Sequence, residues 1–234
     1  MKQAIVIIAS ILLLSCNGKV EKHNNKGLAF MKQGLYEQAI LEFNHAINED
    51  NTWMPPFFNR AIAFANTERY KEALQDFNSV IMNCPNDAKS YLYRGIVYEN
   101  ISAYSNAIKD YSQAINVQPD FITAYHYRGI ARYYMHDYNG ALADYNKAIE
   151  LGLNETGVFY NRGVIYQINK DMEKAIADYN TAIQSDPSYA KAYYNRAIAK
   201  MSLNRKEEAY KDFEIAKRLG HSKSGEIMIE YFGK

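Results

Sequence analysis

A nine-residue pattern recurs along the chain at a constant spacing of 34 residues. Its clearest copy, residues 175–183, reads Ala-Ile-Ala-Asp-Tyr-Asn-Thr-Ala-Ile. Six copies keep the same spacing without a gap: 39–47, 73–81, 107–115, 141–149, 175–183 and 209–217. A fixed period of this length predicts an array of one repeated structural unit, in which each unit packs mainly on its neighbours.

Each period contains two segments with the apolar spacing of an α-helix. In the second period, Phe57, Ala61 and Phe64 follow one another at i, i+4 and i+7, and a second helical pattern covers 73–81. Small residues recur where two such helices would meet, and a larger side chain there would force them apart. The small residues are Gly27, Ala61, Gly95, Gly129, Gly163 and Ala197 in the first helix and Ala39, Ala73, Ala107, Ala141, Ala175 and Ala209 in the second.

The period, the small residues and an aromatic residue four places after each alanine resemble the tetratricopeptide repeat (TPR), a helix–turn–helix unit. The aromatic residues are Phe43, Phe77, Tyr111, Tyr145, Tyr179 and Phe213, and the repeat's proline is present as Pro85, Pro119 and Pro187. The resemblance implies an all-α fold, a right-handed α-solenoid of six TPR helix–turn–helix repeats plus a C-terminal capping helix. The implied repeats are 20–53, 54–87, 88–121, 122–155, 156–189 and 190–223. The two helices of a repeat are called its A and B helices, and positions are counted from its first residue.

The last segment, 224–234, carries apolar residues at helical spacing: Ile227, Met228, Tyr231 and Phe232. We predict a short helix that caps repeat 6. A tail that binds a partner is the alternative interpretation.

The first segment has the features of a bacterial lipoprotein signal peptide. Residues 1–15 contain one early lysine and a short apolar run, and Leu13-Leu14-Ser15-Cys16 resembles a lipobox. The prediction is that 1–15 is removed, that Cys16 carries lipid, and that 16–22 is a polar tether. Asn17, rather than aspartate, favours the outer membrane over the inner membrane of the bacterial envelope. The alternative is an ordinary cleaved signal with a chance cysteine.

Opposite charges recur at two fixed positions of the repeats. Position 7 is arginine and position 23 is aspartate in five repeats, which gives the predicted pairs Arg60–Asp76, Arg94–Asp110, Arg128–Asp144, Arg162–Asp178 and Arg196–Asp212. Because these positions lie at similar heights on antiparallel helices, we predict structural ion pairs within a repeat or with the next one. An arginine ladder for anionic ligands is the alternative.

The resemblance also implies that stacked A helices line a concave groove. Amide side chains there suit an extended peptide, because one amide can donate to a peptide carbonyl and accept from its N–H. The predicted peptide-binding groove residues are Asn59, Asn161, Asn195, Phe58, Tyr93, Tyr127, Tyr133, Tyr160 and Tyr194. Alternatively, these residues serve mainly to stabilise neighbouring A helices.

Several function classes are disfavoured by composition and motif content. The net charge is +1 and no basic stripe is visible, so nucleic acid is not an expected partner. The five histidines lack metal-ligand spacing, and no phosphate loop or nucleophile elbow occurs, so we predict no metal site, no cofactor and no catalytic residues.

The sequence therefore predicts a non-enzymatic interaction scaffold, anchored to a membrane through lipid on Cys16, that binds an envelope protein or an extended peptide. The alternative is a carbohydrate-binding protein that takes peptidoglycan or another glycan through its tyrosines. The identity of the partner does not follow from these residues.

Overall fold

The computed structural model describes residues 18–233, which form thirteen α-helices and no strand. Their bounds are α1 Gly18–Lys32, α2 Tyr36–Glu49, α3 Pro55–Asn66, α4 Tyr70–Asn83, α5 Ala88–Asn100, α6 Tyr104–Val117, α7 Ile122–Tyr134, α8 Tyr138–Glu150, α9 Thr156–Ile168, α10 Met172–Ser185, α11 Ala190–Ser202, α12 Lys206–Arg218 and α13 Ser222–Phe232. The predicted all-α, TPR-like solenoid is confirmed.

The helices group into two compact units, one ending at Ala131 and the other beginning at Arg132. In the first unit α1 packs on α2, α3 on α4 and α5 on α6, and in the second α9 packs on α10 and α11 on α12. Neighbouring A helices also meet directly, as α3 does with α5 and α9 with α11. In these five repeats the A and B helices therefore pack on each other as a pair.

The turn between the A and B helices has the same backbone conformation in every repeat. Position 15 is left-handed throughout, with φ between +57° and +73°, although only repeat 1 has glycine there. The six residues are Gly34, Glu68, Ser102, His136, Lys170 and Asn204. The next residue's N–H then bonds a carbonyl five residues back, as Ala103 does to Tyr98 at 2.8 Å, which satisfies a free carbonyl at the helix end.

The small residue at position 8 permits the close approach of the two helices. A Cβ atom added to Gly95 would lie 2.5 Å from Cε1 of Tyr111, and one added to Gly163 would lie 2.8 Å from Cε1 of Tyr179. Both tyrosines are fully buried, so their rings occupy the space that a side chain at position 8 would need.

Two predictions about the ends of the array need correction. Residues 18–22 of the expected tether belong to α1, and Val20 is buried at 1% exposure instead of facing solvent. At the other end α13 buries Met228 but leaves Tyr231 61% exposed, so Tyr231 is not part of the packed face.

The predicted signal peptide and Cys16 lie outside the described residues. Within residues 18–233, no helix has the length and apolar character needed to cross a membrane.

Candidate functional site

The arginines at position 7 lie against the aspartates at position 23 of their own repeats. In repeat 2, Arg60 donates from Nε and Nη2 to the two carboxylate oxygens of Asp76 at 2.8 and 2.7 Å. The same two-bond geometry, at 2.6–2.8 Å, joins Arg94 to Asp110, Arg162 to Asp178 and Arg196 to Asp212. These four pairs match the predicted spacing and lie within one repeat, the first of the two arrangements considered.

The predicted Arg128–Asp144 pair stays a prediction, because Arg128 lies in the first unit and Asp144 in the second. Within the first unit, Arg128 donates from Nη1 to Ser112 Oγ at 3.1 Å. Within the second, Asp144 accepts from Arg132 Nη1 at 2.8 Å.

A third residue in each network was missed at the sequence level. The remaining terminal nitrogen of Arg60 donates to Asn44 Oδ1 at 2.6 Å, and Asn44 belongs to the preceding repeat. The equivalent acceptors, 16 residues before each arginine, are Asn78, Ser112, Asn146 and Asn180. Their 34-residue spacing was visible in the sequence and would have identified them. Four of these arginines therefore tie their own B helix to the B helix before it: Arg60, Arg94, Arg162 and Arg196.

The guanidinium groups are enclosed by their repeats. The side chains of the four arginines in the two-bond pairs are only 16–18% exposed, and each lies over the ring of an aromatic residue three places earlier, such as Tyr91 for Arg94. The bond to Asp110 raises the pKa of Arg94, and the bond to Asp178 does the same for Arg162. Burial raises the pKa of Asp76, against the opposing effect of Arg60. The hydrogen bonds of these guanidinium groups are made within the protein and little of their surface is exposed. This arrangement favours structural ion pairs over a ladder of arginines that binds anions.

Three predicted groove residues of the first unit lie in its core. Phe58, Asn59 and Tyr93 are 4–6% exposed, and Phe58 makes edge contacts with Phe77 and Tyr93 at 5.7 and 5.4 Å. Asn59 donates from Nδ2 to Asn24 Oδ1 at 2.9 Å. The surfaces of these three residues are used in packing against neighbouring helices, and their contact with a ligand stays a prediction. Tyr127 is half-buried, with its ring 5.9 Å from that of Tyr111.

The predicted groove residues of the second unit keep part of their surface in solvent. Tyr133, Tyr160, Asn161, Tyr194 and Asn195 are all half-buried, and we call them the C-terminal A-helix surface. Asn195 donates from Nδ2 to the Tyr160 hydroxyl at 3.0 Å. This bond has the same register as the one from Asn59 to Asn24, since the position-6 amide in both cases reaches position 5 of the preceding repeat.

The Tyr160 hydroxyl remains protonated at neutral pH. Burial, with the neighbouring Tyr189 and Tyr133 adding to the effect, raises its pKa to about 12. Because the hydroxyl oxygen accepts from Asn195, its own proton stays available to donate. The surface therefore offers amide and hydroxyl groups beside aromatic rings, as a ligand with a peptide backbone requires.

Metal-ligating side chains do not converge in the part of the chain that the structure describes. Across residues 18–233, no cluster of three or more histidine, cysteine, aspartate or glutamate side chains is placed to hold an ion.

Comparison with known families identifies the repeat. Family models described as tetratricopeptide repeat match residues 23–52, 158–189 and 190–219. Over these residues the chain is similar to the tetratricopeptide repeat. A comparison with curated proteins gave no match.

Solved structures with the same fold include pilF of Pseudomonas aeruginosa, MamA and YrrB. The pilF structure has a TM-score of 0.79 at 16% identity, with 92% of this chain and 98% of that chain covered. MamA has a TM-score of 0.66 at 22% identity, with coverage of 70% and 96%. YrrB, described as a TPR protein with an unusual peptide-binding site, has a TM-score of 0.70 at 19% identity, with coverage of 80% and 97%. At these identities the likeness establishes the fold alone.

Proposed function

We propose that the protein is a non-enzymatic scaffold that binds an extended segment of another protein on its C-terminal A-helix surface. The observation that carries the proposal is the half-buried row of amides and phenols in the second unit, Tyr160 and Asn161 on α9 and Tyr194 and Asn195 on α11. Adjacent A helices repeat the same positions, so a strand-like peptide can meet equivalent groups at regular intervals. The peptide-binding site described for YrrB, a protein of the same fold, supports this proposal.

The chemistry of the surface suits a peptide backbone better than a catalytic reaction. Asn161 can both donate to and accept from one peptide unit, and the Tyr160 hydroxyl retains a proton to donate. Aromatic rings at Tyr133, Tyr160 and Tyr194 add apolar contact area at a low cost in side-chain entropy. These groups favour binding without covalent change.

We further propose that lipid on Cys16 holds the scaffold on a bacterial membrane, with the outer membrane favoured. Two or more acyl chains give stable anchoring where one chain is marginal. Because α1 begins at Gly18, little chain would separate the lipid from the first repeat. Cys16→Ser tests this proposal. The wild type should sediment with membranes and the variant should not, and equal sedimentation of both would contradict the anchor.

The scaffold proposal is tested by crosslinking in native membranes. A photo-crosslinking residue is placed at position 161 or 194, and the control carries it at the exposed position of Glu214 on α12. We expect a defined protein adduct from 161 and 194 that is absent from 214. Adducts that form equally well from all three positions, or only from 214, would place the interface elsewhere.

A glycan ligand is the second candidate, favoured by one observation. Tyr134 is 53% exposed, and its ring lies 5.6 Å from that of Tyr133, which in turn lies 5.9 Å from Tyr138. Exposed tyrosine rings of this kind can stack on sugars. Titration with muropeptides distinguishes the candidates, since Tyr134→Ala should abolish glycan binding and leave peptide binding in place.

A further inference from the structure

A cleft lies at the junction of repeat 6 and the C-terminal helix. It has a volume of about 280 Å³ and is lined by Tyr160, Lys191, Tyr194, Asn195, His221, Ser222 and Lys223. Three elements contribute: α9 supplies Tyr160, α11 supplies Lys191, Tyr194 and Asn195, and the start of α13 supplies the remainder. The cleft thus continues the C-terminal A-helix surface at its end.

Basic side chains, and no acidic ones, line the cleft. Lys191 and Lys223 enter it from different helices, and both side chains are exposed. Their charge acts on His221 between them, whose pKa is lowered by burial and then by Lys223 and Lys191. The positive end of the α13 dipole, which begins at Ser222, lies on the same side. No acidic residue is among those that line the cleft.

The walls of the cleft are ordered by contacts between its own residues. The imidazole of His221 stacks on Tyr194 with ring centroids 4.0 Å apart, and His221 Nδ1 lies 3.1 Å from Ser224 Oγ. On the other side, Asn195 bonds the Tyr160 hydroxyl. These contacts hold the polar and aromatic walls in place, while the two lysine side chains are exposed to solvent.

We propose that this cleft binds a carboxylate of the peptide segment, so that the preferred partner is an acidic peptide. Lys191 and Lys223 supply the charge, and the Tyr160 hydroxyl supplies a directional donor. The proposal rests on the proposed function, because the cleft lies beside Asn195 and Tyr194 of the same surface. Either a C-terminal carboxylate or an aspartate or glutamate side chain supplies the required group.

The carboxylate preference is measured with a library of synthetic extended peptides. Each sequence is made with glutamate or with glutamine, and with a free carboxylate or an amide at its C-terminus. Binding to the wild type is compared with binding to Lys191→Gln/Lys223→Gln. The matched control is Lys211→Gln/Lys217→Gln, which removes two exposed lysines of α12 that do not line the cleft. Thermal melts check that each variant remains folded.

We expect carboxylate forms to bind the wild type and the control roughly tenfold more tightly than their amide counterparts, equivalent to about 1.4 kcal/mol. The cleft variant should lose this preference while still binding the amide forms. A preference tied to the terminal group identifies the C-terminus as the source, and one tied to glutamate identifies a side chain. Bound carboxylate should also raise the His221 pKa, which an NMR titration measures.

The two proposals fail in different ways. If the wild type binds carboxylate and amide forms equally, or if the cleft variant retains the preference, the cleft proposal is overturned and the scaffold proposal stands. If no peptide form binds while muropeptides do, both proposals are overturned.

Discussion

Glu99 lies in an environment that its sequence position does not indicate. The Tyr111 hydroxyl donates to Glu99 Oε2 at 2.9 Å, and burial raises the pKa of this carboxyl group to about 7. Two repeats later the same two positions are Gln167 and Tyr179, and the hydroxyl of Tyr179 donates to Gln167 Oε1 at 2.8 Å. The chain therefore contains a neutral version of the same contact.

This comparison predicts a pH-dependent stability that Glu99→Gln removes. The unfolded carboxyl has its ordinary pKa of 4.5, so between pH 4.5 and about 7 the folded protein holds a proton that the unfolded chain has lost. The contribution of Glu99 is therefore most favourable below pH 4.5 and falls by up to roughly 3 kcal/mol as the pH rises to 7. Urea unfolding across this range measures it.

In the Glu99→Gln variant, the amide accepts from Tyr111 at every pH, so its stability should exceed that of the wild type at pH 8 and approach it near pH 4.5. Gln167→Glu is the converse control and should create a similar dependence. Parallel pH profiles for wild type and Glu99→Gln would show that Glu99 titrates normally.

A second residue-scale prediction concerns the left-handed position of the turn. Ser102 has φ +59° and is exposed, whereas repeat 1 has Gly34 at the equivalent place. A left-handed conformation costs an L-residue roughly 1–2 kcal/mol and costs glycine almost nothing. Ser102→Gly removes this cost but increases the conformational entropy of the unfolded chain, so the net effect should be a stabilisation of about 0.5–1 kcal/mol. Gly34→Ala should destabilise it. Urea midpoints measure both changes, and the same sign for both would contradict the argument.

At the scale of the element, the arginine network joins one repeat to the next. Arg162 bonds Asp178 through two nitrogens and Asn146 of the preceding repeat through the third at 2.8 Å. Removing the arginine leaves Asp178, which is 5% exposed, without its charge partner. Removing the asparagine costs one hydrogen bond and leaves the ion pair in place.

We therefore expect Arg162→Ala to lower the free energy of unfolding by about 3 kcal/mol and Asn146→Ala by about 1 kcal/mol. Arg162→Lys should not restore the stability, because a single ammonium group cannot reproduce the planar three-way geometry. The control is Arg205→Ala, which removes an exposed pair with Glu208 and should cost less than about 1 kcal/mol. Denaturant unfolding measures all four. Equal losses for Arg162→Ala and Arg205→Ala would show that enclosure of the pair adds no stability.

At the scale of the whole molecule, the fold was predictable because one period governs it. The small residues at positions 8 and 20, the aromatic at position 24 and the prolines after the B helices were enough to identify the helix pairs. Asn44 and its equivalents recur with the same period. They were not predicted because they are uncharged and the ion-pair pattern includes only charged residues. Features that differ from one repeat to the next, such as the exposure of equivalent side chains, were harder to predict because they depend on local packing.

The candidate surface shows this difference. Asn59 and Asn195 hold the same position, yet Asn59 is buried against Asn24 and Asn195 is half-buried against Tyr160. Position alone cannot tell them apart, because their exposure depends on the neighbouring A helix. The cleft at Lys191 and Lys223 was missed for the same reason, since it requires the start of α13 to meet α11 in space.

The repeat organisation also predicts which parts of the molecule lose stability when one residue is substituted. When each repeat contacts mainly its neighbours, a destabilising substitution lowers the stability of its own repeat and of those beside it more than that of distant repeats.

Gly95→Ala would place a Cβ 2.5 Å from Cε1 of the buried Tyr111 and should cost about 1–3 kcal/mol. Native-state hydrogen exchange should then accelerate in α5 and α6 and change little in α11 and α12. In the control, Gly225→Ala, the nearest atom is 3.7 Å from the new Cβ, so protection should be kept or increased. Uniform acceleration along the chain after Gly95→Ala would mean that the protein unfolds as a single cooperative unit and not as an array of coupled repeats.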